Sequence, residues 1–133
     1  EVQSFREVDL PVIKLLFEEE KPLLLQVRDF ILSQDWGSRY ELIFSSDHLL
    51  ELTRRGATKG GMILKLAALL GVARKDIYCI GDHNNDIPML AVSEIGFAPE
   101  NAIPEVKAWG AHIVCHCKDG ALADVVEILD QRY

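Results

Sequence analysis

The hydrophobic pattern in the first third of the chain predicts one helix among three strands. Residues 10–20 are β-branched and apolar enough for a strand, and apolar residues then recur at helical spacing over residues 21–37. Pro22 suits the first turn of that helix. Residues 39–46 and 48–55 indicate two further strands joined by a tight turn. The predicted order is therefore β-α-β-β.

The pattern changes between Arg54 and Thr58. A glycine-bracketed loop, "GATKGG", precedes an apolar helix that ends at Gly71. Strands and helices then alternate, with strands predicted over residues 76–81, 94–98 and 112–115 and helices over residues 86–93, 103–110 and 120–133. Alternation of this kind predicts an α/β fold with a parallel sheet and right-handed crossovers. We therefore expect one unit over residues 1–54 and another over residues 55–133.

Composition narrows the classes of function. Of the 133 residues, 49% are hydrophobic and 26% are charged, which is typical of a folded domain. The net charge of -7 and the lack of a Lys/Arg cluster disfavour nucleic-acid binding. No apolar run approaches the roughly 20 residues that cross a bilayer, so no membrane role is predicted. The three cysteines do not form a disulfide framework, which favours a reducing, cytoplasmic location.

Polar residues crowd the end of one predicted strand, in the sequence "CIGDHNND". Asp82 directly follows the strand, and Asp86 lies four residues later, where a helix begins. Two carboxylates offer the hard oxygen ligands that suit Mg²⁺. Asn84 or Asn85 can cap the helix, whose N-terminus favours a bound phosphate. The same residues are equally typical of a turn that merely caps a helix.

Lys59 favours the functional interpretation of this turn. It lies in the "GATKGG" loop at the N-terminus of a helix, where a cation opposes the helix dipole. A lysine near the strand ends could neutralise a phosphate or hold a carboxylate nucleophile. The simpler alternative is a solvated surface lysine. The loop lacks the spacing of a P-loop, so that interpretation is rejected.

Taken together and in order, four segments resemble the C-terminal half of haloacid dehalogenase-superfamily phosphatases of the Cof type, in which an α/β cap is inserted into the core. The segments are "GATKGG", "CIGDHNNDIPML", "GFAPENAIPEVK" and "KDGALADVVE", which span residues 56–127. The resemblance implies a partial Rossmann-like core of three parallel strands with helices. It also implies that residues 1–54 are the end of the cap.

The resemblance assigns roles to matching positions. Lys59 matches the lysine that orients the nucleophile and neutralises the phosphoryl group. Asp82 matches the Mg²⁺-binding aspartate, and Asp86 matches the second acidic position, which binds or supports the metal site. Asn85 matches an asparagine that reaches toward the phosphoryl group or the metal shell, and Asn101 matches a position near the cleft.

One family feature is missing from the sequence. The reaction of the family needs a D-x-D motif with an aspartate nucleophile, and no D-x-D occurs in these 133 residues. The chain also begins at Glu1 rather than at methionine. We therefore expect a segment of a longer enzyme that hydrolyses a small phosphorylated metabolite, with the isolated chain inactive. A non-catalytic binding or assembly module and a phosphotransferase remain the alternatives.

Two further expectations depend on the same resemblance. In the family, the strand around residues 77–81 pairs with the strand that carries the nucleophile. Without that partner it becomes an exposed apolar edge, so we expect either self-association through residues 77–81 or covering of this strand by the N-terminal segment. His83 occupies a position that varies in the family, and we expect it to be an exposed loop residue rather than a ligand.

Overall fold

The computed structural model describes Ser4, Glu7, Val8 and residues 11–133, and it contains two three-stranded sheets. The first part of the chain forms strand β1 (Lys14–Glu18), helix α1 (Lys21–Leu32), strand β2 (Tyr40–Ser46) and strand β3 (Leu49–Arg54). The predicted β-α-β-β order is therefore confirmed. Residue 10, where the first strand was predicted to begin, lies outside the described residues.

The second part of the chain alternates helices and strands as predicted. Its elements are α2 (Lys59–Leu70), β4 (Tyr78–Ile80), α3 (Ile87–Val92), β5 (Ile95–Pro99), α4 (Pro104–Ala108), β6 (His112–Val114) and α5 (Ala121–Asp130). Strands β4, β5 and β6 pair in parallel and in that order. The predicted α/β class with a three-stranded parallel sheet is confirmed.

The antiparallel sheet has one face covered by α1 and another face that carries both apolar and polar side chains. Its order is β1-β3-β2, and Leu16 and Ile43 lie on either side of Glu51 across the three strands. In β3, Leu50 and Leu52 are buried, and α1 contacts this strand. Because side chains alternate along a strand, Glu51 lies on the opposite face from the two leucines.

The parallel sheet has helices on both faces. Alternate residues of β5 show this clearly, because Phe97 packs with α5 while Ala98 belongs to the cluster that includes α2, α3 and α4. Burial on both faces makes the strands short apolar runs. The arrangement leaves the carboxyl ends of β4 and β5 at one edge, where ligands bind in open parallel sheets.

Helix α2 begins earlier than predicted. It begins at Lys59, so Lys59 and the two glycines after it belong to the first turn of the helix and not to a loop. Thr58 caps the helix by accepting a hydrogen bond from the N–H of Gly61 at 3.1 Å. At its other end Gly71 adopts φ 68°, which confirms the predicted glycine stop.

Helix α1 ends at Leu32, although its apolar pattern predicted a helix over residues 21–37. The chain turns back on the helix end. A Cβ atom placed on Gly37 would lie 2.2 Å from the carbonyl oxygen of Ile31. This close approach, which is visible only in three dimensions, accounts for the glycine.

Strand β4 lies at the edge of its sheet, as predicted. Helix α2 beside it exposes Leu66, Leu69 and Leu70. The three cysteines are free, and their predicted cytoplasmic location stays a prediction. In the described part of the chain, none of the helices has the length and apolar character needed to cross a bilayer.

Candidate active site

The turn after β4 is organised around the buried carboxylate of Asp86. One oxygen, Oδ2, accepts hydrogen bonds from the backbone N–H groups of Asp82 at 3.0 Å and His83 at 3.1 Å. Gly81 makes room for this carboxylate, because a Cβ there would lie 2.3 Å from the Cβ of Asp86. The turn is thus folded around the side chain of its own last residue.

The second oxygen of Asp86 binds Lys59. The ammonium Nζ donates to Oδ1 at 2.5 Å and joins the first turn of α2 to the turn after β4. Helices α2 and α3 approach closely here, since a Cβ on Gly60 would lie 2.0 Å from the carbonyl oxygen of Pro88. The glycine after Lys59 therefore allows the approach that brings the ammonium to the carboxylate.

Asp86 is held in its charged form. Burial works against the charge, but the hydrogen bond from Lys59 and the N–H groups of Asp82 and His83 outweigh it and lower the pKa of Asp86. The Asp86 side chain is only 6% exposed, whereas the Lys59 side chain is 50% exposed. The cation is fixed at one end and remains accessible from solvent.

Asp82 differs from Asp86 in its environment. Asp82 is exposed, and it lines a cavity of about 390 Å³ at the carboxyl ends of β4 and β5. Pro99, Cys117 and Gly120 line the same cavity. The Asp82 carbonyl accepts a hydrogen bond from Ile103 at 3.0 Å, which fixes the backbone. Asp82 thus presents an accessible carboxylate on a fixed turn.

The donor set does not amount to a metal site by itself. Asp86 already uses both oxygens in hydrogen bonds, which leaves Asp82 as the accessible carboxylate of the turn. Within the described ranges, no group of three or more His, Cys, Asp or Glu side chains is arranged to hold a metal. A hard cation such as Mg²⁺ takes about six oxygen ligands, so further ligands would be needed beside Asp82.

The turn after β4 also contains His83, Asn84 and Asn85, whose surroundings differ. Asn84 and Asn85 lie in a 3-10 turn over Asn84–Asp86, and neither caps helix α3, contrary to the prediction. Asp86 occupies the N-cap position of α3 without a side-chain cap, because its carboxylate accepts from N–H groups of the preceding turn. His83 is half-buried, so the prediction of an exposed loop residue is wrong.

Asn101 lies in the loop after β5, and its hydrogen bond to Cys117 is structural. Its Oδ1 accepts a hydrogen bond from the N–H of Cys117 at 3.0 Å. This bond ties the loop after β5 to the segment before α5. Ile103 of the same loop donates its N–H to the carbonyl of Asp82. Asn101 is therefore two residues away from a residue that contacts the site.

The antiparallel sheet contributes residues that the sequence did not indicate. Strand β2 contacts the Asn84–Asp86 turn, and the charge of Lys59 acts on Glu51 of β3. Glu51 also pairs with Lys14, whose Nζ donates to Oε2 at 2.6 Å. The only sequence signal was a single glutamate between leucines in "LLELTR", which fits a sheet with one solvated face.

Comparison with known proteins gives a consistent family. A family model described as haloacid dehalogenase-like hydrolase matches residues 1–126. The protein YxeH of Bacillus subtilis (strain 168) is 34% identical over 98 residues, which are 74% of this chain and 36% of that protein. The HMP-PP phosphatase of Escherichia coli O81 (strain ED1a) is 34% identical over 89 residues, which are 65% of this chain and 33% of that enzyme.

Solved structures share the fold over nearly all of the chain. A haloacid dehalogenase-like hydrolase from Bacteroides thetaiotaomicron matches 97% of this chain and 48% of its own, with a TM-score of 0.76 and 25% identity. A haloacid dehalogenase-like hydrolase from B. subtilis matches 95% of this chain and 45% of its own, with a TM-score of 0.82 and 25% identity.

The matched proteins are longer than this chain. This chain spans about a third of the two curated relatives described above and about half of the solved chains. The match therefore concerns one part of a relative. Sequence and fold agree with the resemblance seen in the strand-end motifs, and the chain belongs to the haloacid dehalogenase-like hydrolases.

Proposed function

We propose that this chain supplies half of the active site of a phosphatase that hydrolyses phosphomonoesters. The observation that carries the proposal is the position of Lys59. A half-exposed ammonium is held at 2.5 Å by a buried carboxylate, beside the accessible Asp82, at the carboxyl ends of parallel strands. A cation fixed at a strand-end cleft is suited to stabilise a phosphoryl group as its charge develops.

Each predicted site residue receives a role in this proposal. Lys59 binds the phosphoryl oxygens or orients the attacking carboxylate, and Asp82 provides a metal ligand. Asp86 positions Lys59 and holds the backbone of the turn, since both of its oxygens are engaged. Asn85 contacts the phosphoryl group, and Asn101 supports the cleft through Cys117.

Magnesium is the proposed cofactor. Asp82 would contribute one oxygen ligand, and the others would come from the substrate, from water and from residues outside this chain. A bound Mg²⁺ would supply positive charge to the phosphoryl oxygens. This chain would contribute Lys59 as a second cation in the same cleft.

The attacking carboxylate is proposed to lie outside this sequence. The 133 residues contain no D-x-D, and curated relatives are about three times as long as the matched part. We assign residues 1–54 to a cap and residues 55–133 to the core, in line with the two sheets. The isolated chain is expected to lack activity because it cannot form a phospho-enzyme.

The proposed substrates are small phosphorylated metabolites. One relative is an HMP-PP phosphatase, and a B. subtilis relative that is 41% identical over 63 residues is a 5-amino-6-(5-phospho-D-ribitylamino)uracil phosphatase. The second of these names describes a phosphate group on a ribityl chain. The −7 charge of the chain is consistent with a small molecule rather than a nucleic acid as the substrate.

We also propose that the isolated chain self-associates through the edge strand at residues 77–81. The supporting observations are the edge position of β4 and the exposed leucines of α2 beside it. A chain with Leu70→Lys should stay monomeric in sedimentation at concentrations where the unsubstituted chain forms dimers. Leu32→Lys, on the distant helix α1, is the matched control, and dimer loss in that variant alone would refute the assignment.

The main experiment measures phosphate release by the full-length parent enzyme with Mg²⁺ on a panel of phosphomonoesters. Asp82→Asn and Lys59→Met are expected to lower kcat/KM at least a hundredfold, since each removes charge stabilisation from the cleft. Asp130→Asn, an exposed acidic residue at the end of α5, should change it less than twofold. Full activity of the Asp82→Asn enzyme would contradict the proposal.

The isolated chain provides a separate test. It should release no phosphate from the same panel, with or without Mg²⁺. Activity that survives Asp82→Ala would show that the chain acts by a different site. Binding of a partner without any phosphate release by the full-length parent would favour the non-catalytic module.

A further inference from the structure

Two cysteines flank a histidine in the segment between β6 and α5, beside the cavity that Asp82 lines. Cys117 is exposed and lines the cavity itself, whereas Cys115 is half-buried. In the described part of the chain, no three His, Cys, Asp or Glu side chains are arranged to hold a metal ion. Two neighbouring thiols can also react with each other, by oxidation to a disulfide.

Cys117 is placed to react first with an oxidant. Its sulfur lies 3.7 Å from Nδ1 of His116, and the same nitrogen accepts the backbone N–H of Lys118 at 3.1 Å. A ring nitrogen that accepts a hydrogen bond carries no proton, so it is able to receive the proton of the thiol. Cys117 therefore combines access from solvent with a proton acceptor, two conditions that favour oxidation of a thiol.

Cys115 is protected from direct oxidation. Asp124 accepts a hydrogen bond from its N–H at 2.9 Å and another from its thiol. The hydrogen bond to Asp124 raises the pKa of Cys115 to about 11, so the thiol keeps its proton at neutral pH. A dilute oxidant reacts slowly with such a thiol. An oxidised sulfur on Cys117 is present at a much higher effective concentration, because it belongs to the same short segment.

The two sulfurs are within reach of each other, but a bond between them would shift the segment. Residues two apart have Cα atoms separated by at most about 7 Å, near the upper end of the range for a disulfide. The N–H of Cys117 donates to Oδ1 of Asn101 at 3.0 Å and fixes the start of the 3-10 turn over Cys117–Asp119. A disulfide would withdraw Cys115 from Asp124 and draw Cys117 away from Asn101. The wall of the cavity would move with Cys117.

We propose that Cys115 and Cys117 form a reversible disulfide that reshapes the cavity beside Asp82. The Cys117 sulfur attacks an oxygen of a peroxide, the O–O bond breaks, and the departing hydroxide becomes water with the proton that His116 received from the thiol. The Cys115 sulfur then bonds to the Cys117 sulfur and displaces the hydroxyl group, which leaves as water with the Cys115 proton. Each sulfur loses one electron, and the peroxide is reduced to two water molecules.

The effect on catalysis rests on the proposed phosphatase function. Asp82 lines the cavity together with Cys117, so a shift of this wall changes the space in which a metal and a phosphoryl group would bind. Under reducing conditions the pair stays in the thiol form, and a rise in peroxide converts it to the disulfide. The segment between β6 and α5 would therefore make the enzyme sensitive to oxidants.

The test treats the full-length parent enzyme with hydrogen peroxide and follows two readouts. Trypsin releases residues 108–118 as one peptide that contains Cys115 and Cys117 but not Cys79. This peptide should lose the mass of two hydrogens and regain it when dithiothreitol reduces the disulfide. Over the same treatment, kcat/KM for p-nitrophenyl phosphate should fall on the order of tenfold and then recover, because groups around the reacting atoms are displaced.

Substitutions in the pair should change the response to peroxide. Each variant is compared with itself before and after treatment, so that any effect on the untreated enzyme cancels. Cys117→Ser should abolish the response. In Cys115→Ser the peptide should gain oxygen and not lose hydrogens, because no second thiol is present to displace it. Cys79→Ser should respond like the unsubstituted enzyme, because Cys79 is buried in the core, and thermal unfolding checks that each variant is folded.

Three results with the unsubstituted enzyme would overturn the inference. They are a peptide that keeps both thiols, a peptide that gains oxygen without losing hydrogens, and an unchanged kcat/KM once the disulfide is complete. A disulfide that forms in an enzyme without any phosphate release, even when reduced, would instead contradict the phosphatase proposal and leave the redox pair standing.

Discussion

The Lys59 ammonium and the Asp86 carboxylate lie 2.5 Å apart and connect the start of helix α2 to the turn after β4. Asp86 is buried, and its second carboxylate oxygen accepts hydrogen bonds from two backbone N–H groups of that turn. The pair therefore has two effects. It fixes the turn that presents Asp82, and it places a cation beside the candidate site.

Removal of the buried carboxylate should destabilise the chain. Asp86→Ala leaves the Lys59 ammonium and the N–H groups of Asp82 and His83 without their acceptor. We expect a loss of about 2–4 kcal/mol in the free energy of unfolding, measured by urea denaturation. Asp47→Ala, which removes the exposed ion pair with Lys21, is the control and should change little. Equal effects of the two substitutions would contradict this account.

Stability should depend on pH through Asp86. The pKa of its carboxyl is lowered from the ordinary value of 3.8, so the folded chain binds this proton less readily than the unfolded chain. The stabilisation is fully present above pH 3.8 and is lost as the pH falls through the lower folded-state pKa. Urea denaturation from pH 7 to pH 3 should show that the difference in free energy of unfolding between the unsubstituted chain and Asp86→Asn becomes smaller. A constant difference would argue against the charged pair.

The close approach of helices α2 and α3 predicts an unusual result for a helical glycine. Gly60→Ala should raise helix propensity by about 1 kcal/mol, yet its Cβ would lie 2.0 Å from the Pro88 carbonyl oxygen. We expect a net loss of about 1–3 kcal/mol in the free energy of unfolding from the forced shift. Met62→Ala, an exposed position in the same helix, is the control. A stabilised Gly60→Ala chain would show that the helices separate at little cost.

Asp82 should affect activity but not stability. Its side chain is exposed, so Asp82→Asn should change the free energy of unfolding of the chain by less than about 0.5 kcal/mol. In the full-length parent the same substitution should abolish most of the phosphate release, through loss of a metal ligand. A large loss of stability would mean that Asp82 holds the fold rather than the cofactor.

The local pattern of the chain was sufficient for the order of elements and the position of the turn. The segment "RYELIFSS" is short and contains β-branched and aromatic residues, whereas "MILKLAALLG" is a longer run rich in Leu and Ala, and these differences predicted strand and helix correctly. The strand-end residues of "CIGDHNND" were recognisable only together with Lys59 and the other matching segments, because Asp and Asn are also typical of simple turns. Their roles in catalysis remain predictions.

Helix ends were predicted less well because they depend on distant contacts. Lys59 and the two glycines after it looked like a loop, since glycine is a poor helix former. In the folded chain, α3 lies so close that only glycine fits at position 60, and the helix extends through it. Helix α1 similarly stops short of Gly37 because the chain folds back on its last turn.

The sequence by itself determined the α/β class, the order of strands and helices and the set of polar residues at the end of β4, because these follow from the local pattern of apolar and polar residues. Only the tertiary structure decided that Asp86 is buried and committed to Lys59 while Asp82 is accessible, since two identical residues four positions apart acquire their roles from the groups packed around them. It also brought strand β2 against the Asn84–Asp86 turn and Glu51 of β3 within reach of the charge of Lys59, through pairings between strands that no local pattern specifies.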